Sequence, residues 1–491
     1  MTGALAAGLD LGTSGLKGVV LDDRGTVVAR AGAAYPTARP QPGVAEQDPV
    51  DWSSALERVI ECLTADCPAR GWTGLGLTGM IPTLVLLDPA GDTVGPAITW
   101  EDARAEVDGA AVREVFGGNE LYRRTGQWVD GRYLLPMFAR LRRDDPGRAA
   151  SAATIAGAKD HLYRLLTGRL ATDPSTAAGY GCFDLATGDW ASDLLSACFG
   201  REPAVRRPSL PAVEPTASSS PLTADAAGRL ALPAGLPVSL GGADSVCAAF
   251  GLGVRGAGDA AIVAGTSTVI LGLRPAPVWD ERHRFLITPV AGEGWGLEMD
   301  LVSTGSAVSW LAGLLGLGDA GQERLLSLAA AAAPGARGVS LLPFFGAGEQ
   351  GALWDPSLRG AILGLTLSHG ADDLARALLE GITIETARCL DVLAQVDVSG
   401  EVSVSGWASA EPLPRWLADV TGRRVRVGAG ESEDASAVGA ALLAFGGLEG
   451  ESVPLMAMGR DFEPTPGGED RWDALRRRHE AALVSIRTLE E

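Results

Sequence analysis

A Gly-Thr-Ser turn flanked by apolar runs occurs twice in this sequence, at Gly12 and again, roughly half the chain later, at Gly265. At the first, Leu5–Asp10 leads into Gly12-Thr13-Ser14-Gly15 and Lys17–Leu21 leaves it. Asp22-Asp23-Arg24-Gly25 then turns the chain into Thr26–Ala29. At the second, an apolar run from Ala260 enters Gly265-Thr266-Ser267-Thr268 and Val269–Leu273 leaves it. Apolar runs of strand length bounded by such residues are predicted to be antiparallel hairpins. A single triplet is unremarkable, because Gly, Thr and Ser make turns everywhere. Two in the same strand–turn–strand setting point to two related domains, each opening on a hairpin. Small residues at such a turn let backbone N–H groups approach phosphate oxygens.

The length of 491 residues agrees, since one hydrophobic core does not grow that large. The Pro-, Ser- and Ala-rich stretch Glu202–Pro237 is the expected passage between domains, with the boundary near Leu236, giving residues 1–236 and 237–491. A net charge of −20 excludes a nucleic-acid partner, which needs a basic footprint. The six cysteines are scattered without a Cys-x-x-Cys, as expected of reduced thiols in a cytoplasmic protein. Met1–Gly8 lacks a basic leader and reads as the start of a core strand, and apolar stretches such as Ala307–Leu317 are too short to span a bilayer, so no membrane partner is expected.

Helices are expected from Ala371, with Asp372 and Asp373 in the first turn and Leu374, Leu378 and Ile382 on a buried stripe, and over Arg415–Thr421, stopped by Gly422 before a strand at Val425–Val427. A charged amphipathic helix is expected from Glu469 to the end.

Several motifs are decoys. Gly-x-Gly-x-x-Gly occurs at Gly74, Gly251 and Gly346, but 65 glycines supply about one such match by chance, and none has the strand–turn–helix and acidic-residue setting of a dinucleotide site. There is no P-loop and no Gly-x-Ser-x-Gly elbow, and the four histidines have no metal-type spacing. Two carboxylates remain. Asp10, at the end of the first strand beside the turn, is placed either to hold Mg²⁺ or simply to precede a turn. Asp244 follows the apolar run of PVSLGGADSV and opens a helix, which suits both a general base for a hydroxyl and a helix N-cap.

Together these pieces resemble the FGGY family of carbohydrate kinases, xylulokinase-like branch, within the α/β actin-like ATPase (ribonuclease H-like) fold. The resemblance runs in order along nearly the whole chain: GLDLGTSGLK at Gly8–Lys17, Glu46-Gln47-Asp48-Pro49, Leu84–Asp88, ITWEDAR at Ile98–Arg104, Gly241–Gly253, Gly265–Ser267, Leu342–Gly348 with Glu349, LGLT at Leu363–Thr366, LARALLEGI at Leu374–Ile382, Leu417–Thr421, and AVGAA at Ala437–Ala441. It implies two such domains with a cleft between them, ATP and Mg²⁺ as cofactors, a small carbohydrate as substrate and a homodimer. It implies Asp244 as catalytic base, and Asp10 near the metal and the reacting hydroxyl. Gly12, Thr13, Ser14, Gly265, Thr266 and Ser267 match the phosphate turns, and Gly305, Ser309, Gly406 and Ala410 the nucleotide pocket. Met80, Ile81, Trp100, Arg132 and Ser245, with Asp10 and Asp244, fall on the sugar side.

Departures cluster on that sugar side. Where xylulokinase-like members have Gln-Met-His-Gly, this chain has Met80-Ile81-Pro82-Thr83, and Pro82 cannot hydrogen-bond a sugar hydroxyl. Ser245 and Glu101 each replace an Asn, Met137 a Lys, and the nucleotide segment is Ser405-Gly406-Trp407-Ala408-Ser409. A lost polar contact to a hydroxyl changes discrimination by a large factor, so the acceptor is expected to differ from D-xylulose. Ketoses, alditols, sugar acids held by Arg132, and cyclitols stay open, as does a catalytically silent ligand sensor. Trp407 is either a wall for adenine or a core residue.

Overall fold

The computed structural model describes residues 3–198, 207–346, 351–355, 357–428, 434–446 and 458–490. Ala347, Gly348 and Glu349 of the quoted segments lie outside them. The chain divides into two compact units: Met1–Gly251 with Ile287–Trp295 and Asp434–Met456, and Leu252–Leu286 with Gly296–Glu433 and Ala457–Glu491.

The first unit is built on strands β1 (Leu5–Leu11), β2 (Gly15–Asp22), β3 (Val27–Ala34), β4 (Trp72–Gly79), β5 (Ser219–Pro221) and β6 (Pro237–Ala243), in the sheet order β5-β6-β4-β1-β2-β3. β1, β2 and β3 form the antiparallel meander expected from the first turn, while β4 runs parallel to β1 and β6 parallel to β4. The expected linker is therefore structured within its described part. Ser219–Pro221 is an edge strand, and β6 lies inside this sheet because its apolar run is buried by pairing with β4. The chain leaves the first unit at Gly251, not at Leu236.

In the second unit, β7 (Ala260–Ala264) and β8 (Thr268–Arg274) form the second hairpin. With β9 (Trp295–Leu301), β10 (Val402–Gly406), β11 (Val425–Gly428) and β12 (Met458–Phe462) the order is β9-β8-β7-β10-β11-β12. β10 runs parallel to β7, and β11 parallel to β10. Each sheet thus has an antiparallel hairpin at its heart and parallel strands stepping away on one side. That shared order is the structural form of the sequence repeat.

Among the helices are α1 (Pro49–Asp66), α2 (Ala158–Thr167), α3 (Asp244–Gly251), α4 (Thr304–Leu314), α5 (Ala371–Ala394), α6 (Leu413–Thr421), α7 (Ala435–Ala444) and α8 (Gly468–Glu490). α5 starts where expected, although Leu374 is only partly buried while Leu378 and Ile382 are core. α6 ends on Gly422 in the left-handed conformation, and α8 buries Trp472, His479 and Leu483 along one face. α7 explains both AVGAA and the Gly74 decoy. It lies against β1 and β4 at backbone contact, so a Cβ at Gly8 would fall 1.9 Å from Ala437 O and one at Gly76 1.8 Å from Ala440 O. Glycines there make room for a helix, not for a dinucleotide.

Candidate functional site

The register of the first sheet brings three of the expected segments to one edge. Leu11, Gly79 and Ala243 pair in one row across β1, β4 and β6. Just beyond this row the chain continues as Gly12–Ser14, Met80–Ile81 and Asp244–Ser245. Three parallel strands ending together present their carboxyl edge, where ligands bind in open α/β sheets.

The Gly12–Ser14 turn is closed by Gly12 N–H donating to Gly15 O at 3.1 Å and is braced from outside. Tyr35 Oη donates to Gly12 O, and Gln47 Nε2 donates to Thr13 O at 2.6 Å. Gln47 is itself fixed by Trp52 Nε1, 3.0 Å from its Oε1. The Trp100 indole donates to Thr13 Oγ1 at 3.1 Å, which leaves the hydroxyl proton of Thr13 to be given elsewhere. Trp100, expected beside the sugar, thus braces the Gly12–Ser14 turn. The Glu46–Pro49 segment now has a physical role: Gln47 supports the turn, and Asp48 caps α1 by accepting from Val50 N–H. Sequence spacing gave no signal for Tyr35 or Gln47 as supports of the turn.

Asp10 pairs across the hairpin with Lys17 and on its other side with Thr78. Its Oδ1 is buried with no hydrogen-bond partner. Burial raises its pKa to about 6, Lys17 pulling down and Asp434 pushing up. A buried carboxylate oxygen without a donor is what a cation would satisfy, and Mg²⁺ typically takes only one or two carboxylates, completing its shell with phosphate and water. Asp10 fits that part. Among the described residues no cluster of three or more His, Cys, Asp or Glu offers a closed metal cage.

Asp244 begins α3 half-buried, and its Oδ1 accepts the N–H of its neighbour Ser245 at 2.8 Å. Ser245 is buried. Met80 is 1 % exposed and packs in the core of the first unit, so of the Met80–Ile81 pair only Ile81 is partly exposed. Arg132 makes a two-pronged ion pair with Asp130, Nη2 to Oδ2 at 2.6 Å and Nε to Oδ1 at 3.2 Å.

In the second unit, Gly265 N–H donates to Ser267 O at 2.8 Å, and Thr266 O accepts the N–H groups of Gly305 and Ser306 at 3.0 and 3.2 Å. Gly265, Thr266, Gly305 and Gly406 come together around this turn, since Gly406 pairs with Ala264 at the carboxyl end of β10. Ser309 is exposed one turn along α4, and Ala410 is exposed after Gly406. Trp407, 8 % exposed, donates its indole N–H to Gly265 O at 2.9 Å. Trp407 is thus buried and tied to the second turn. Each turn is therefore steadied by a tryptophan indole, Trp100 in one unit and Trp407 in the other.

No disulfide joins the five cysteines whose side chains are described, and among the described residues no helix is long and apolar enough to cross a membrane.

Paired turns of small residues on sheets of this order, with carboxylates at the strand ends, define a phosphate-handling enzyme of the actin-like ATPase fold. The chain belongs to the FGGY family of carbohydrate kinases: the family's N-terminal domain matches residues 5–251 and its C-terminal domain residues 260–447. It is 30% identical to a xylulose kinase of Klebsiella pneumoniae over 91% of this chain and 90% of that protein. It is 31% identical to a glycerol kinase of Paracidovorax citrulli over 93% and 94%. The crystal structure of xylulose kinase from Rhodospirillum rubrum superposes with a TM-score of 0.85 at 30% identity, covering 99% of both chains. The protein is an ATP-dependent carbohydrate kinase.

Proposed function

We propose that this kinase phosphorylates a terminal hydroxyl of a small neutral polyol or ketose other than D-xylulose, with Asp244 as general base. The observation that carries this reading is the row Leu11–Gly79–Ala243, which delivers Asp10, the first phosphate turn and Asp244 to one sheet edge. Asp244 accepts the proton of the acceptor hydroxyl as its oxygen attacks the γ-phosphorus, and the bond from that phosphorus to the β–γ bridging oxygen breaks so that ADP leaves. The Gly12–Ser14 and Gly265–Ser267 turns offer backbone N–H groups to phosphate oxygens, and Thr13 adds its hydroxyl proton. Mg²⁺, when bound, neutralises charge on the phosphates, and Asp10 is the residue that would hold it.

Two features favour a neutral acceptor. The Arg132 guanidinium already faces the Asp130 carboxylate through two nitrogens. Pro82 replaces a polar histidine with apolar surface where the acceptor is expected. The test is a coupled ADP-release screen over ketoses, alditols, aldonates and cyclitols, with the Asp244→Ala protein as blank. Turnover with a ketose or alditol is expected. Turnover confined to aldonates, or ADP release independent of any acceptor, contradicts the reading.

Asp10→Asn separates function from stability. Because burial raises the pKa of Asp10 from 3.8 to about 6, its ionised form is disfavoured in the fold. The resulting cost is absent below about pH 4 and fully present above about pH 6. At pH 7.5 the Asn variant is therefore expected to melt at a higher temperature than the parent without Mg²⁺, with the gap closing towards pH 4. Its Mg²⁺ requirement, read by titrating activity, should rise about tenfold or more. A lower Tm together with an unchanged Mg²⁺ requirement removes Asp10 from the metal role.

Trp407→Phe keeps the ring and deletes the donor to Gly265 O. ADP affinity by calorimetry is expected to fall about threefold to tenfold, the worth of one hydrogen bond, and unchanged affinity would show that the turn stands without the indole.

A further inference from the structure

Strand β6 reaches Asp244 through an irregularity. Its pairing with β4 shifts register between Ser239 and Gly242, and Gly241 has φ +67°. Such bulges re-aim the residues that follow them. Here every step of the bulge is tied down. Leu240 O accepts from Lys159 Nζ at 3.2 Å, and Gly241 N–H donates to Thr216 O at 3.0 Å. Gly242 O accepts from Thr78 Oγ1 at 2.8 Å, and Ala243 N–H, one residue before Asp244, donates to Ser175 Oγ at 2.9 Å. Ser175 Oγ donates in turn to Asp173 Oδ2, and Lys159 Nζ sits 3.3 Å from Asp173 Oδ1 and 3.0 Å from Asp160 Oδ1. Tyr180 Oη completes the set on Asp160 Oδ2 at 2.9 Å.

The side chains of Lys159, Asp160 and Asp173 are 0% exposed. Three ionisable groups in a core are not the most stabilising filling, since a buried ion pair seldom outperforms apolar packing of the same volume. What they do supply is a rigid grip, because Lys159 is the shared partner of both carboxylates and removing it leaves the two without their cation. The grip is on the two backbone groups, Leu240 O and Ala243 N–H, that flank the bulge. The fit is close: a Cβ at Gly242 would lie 2.9 Å from Ser175 Oγ.

We propose that Lys159, Asp173 and Ser175 form a buried clamp that fixes the bulge of β6 and so positions the Asp244 carboxylate for phosphoryl transfer. This rests on Asp244 being the general base. The three are positioning residues and do not touch substrate. Misplacing a reacting group by about 1 Å costs on the order of 10²-fold in rate, so a lesion in the clamp should appear in kcat, not in nucleotide binding.

Ser175→Ala removes one oxygen and creates almost no cavity. With ATP and the acceptor probes glycerol, ribitol and xylitol, kcat is expected to fall about 10- to 100-fold while the KM for ATP changes less than about twofold. Its crystal structure should show the Asp244 carboxylate displaced against unmoved β1 and β4. Leu162→Ala is the control. It empties a buried core position on α2, the helix that carries Lys159, and should lower Tm by more than Ser175→Ala with little change in kcat. If Ser175→Ala does not fold, Thr78→Val, which is isosteric and removes the bond to Gly242 O, carries the same test with a smaller kcat loss. An unchanged kcat with Asp244 unmoved, or a kcat loss that merely tracks Tm across the set with Leu162→Ala, overturns the clamp. Full transfer by Asp244→Ala would instead overturn the base assignment itself, so the two failures are distinguishable.

Discussion

Asp244→Ala is expected to lose transfer by about 10²–10⁴-fold or more, the range for a general base in the right place, while ADP binding by calorimetry stays within about twofold. The reason lies in how the residue is held. Asp244 stands at the end of β6, one position past the row that aligns the three parallel strands, at the start of α3. Truncating its side chain removes a carboxylate from the sheet edge and leaves the strand, its bulge and both phosphate turns in place. One hydrogen bond, Ser245 N–H to Oδ1, is lost as well, which should cost about 1 kcal/mol of stability and so only a modest drop in Tm. A variant that folds, binds nucleotide and does not transfer is the signature of a chemical role. A variant that fails to bind nucleotide would assign Asp244 to binding instead.

Gly305→Ala is expected to give the opposite pattern. A Cβ at Gly305 would lie 2.0 Å from Gly265 O and 3.0 Å from Trp407 Nε1, distances at which backbone must move. The N-terminus of α4 and the Gly265–Ser267 turn are joined there by Gly305 N–H and Ser306 N–H to Thr266 O. Pushing them apart breaks the geometry of the second turn. ADP affinity should fall about 10²-fold, roughly 3 kcal/mol, with an overpacking cost to stability of about 1–3 kcal/mol. Nucleotide affinity equal to the parent's would show that this turn is not a phosphate site. Together the two variants separate chemistry, in the first unit, from nucleotide holding, in the second.

Much of this was legible in the sequence because the parts are local. A hairpin is coded by its own strands and turn, so both Gly-Thr-Ser units and the first meander could be read from adjacent residues. The stop at Gly422 and the acidic first turn of α5 are local signals of the same kind. The domain boundary was not legible, because the strand Pro237–Ala243 looks the same whichever sheet it joins. Its place is decided by pairing with Trp72–Gly79, far away in sequence. Composition also misled at Glu202–Pro237, where a Pro- and Ser-rich stretch carries an edge strand. The braces around the turns were invisible for a related reason. Trp100, Gln47 and Tyr35 meet at Gly12 and Thr13 from three separate segments, and no spacing rule joins them. Trp407 could not be assigned until its indole was seen to donate to Gly265 O. The buried group Lys159–Asp160–Asp173 reads in sequence as ordinary surface charge, and only the fold shows it enclosed beneath the strand that carries Asp244.

The most direct measurement is the ³¹P NMR spectrum of the products formed from ATP, Mg²⁺ and the acceptor selected by the ADP-release screen. Transfer to a terminal hydroxyl gives a phosphomonoester whose phosphorus signal is split into a triplet by two methylene protons, and this signal should be absent with Asp244→Ala. ADP and inorganic phosphate without any ester signal, or the same ester formed at full rate by Asp244→Ala, would contradict it.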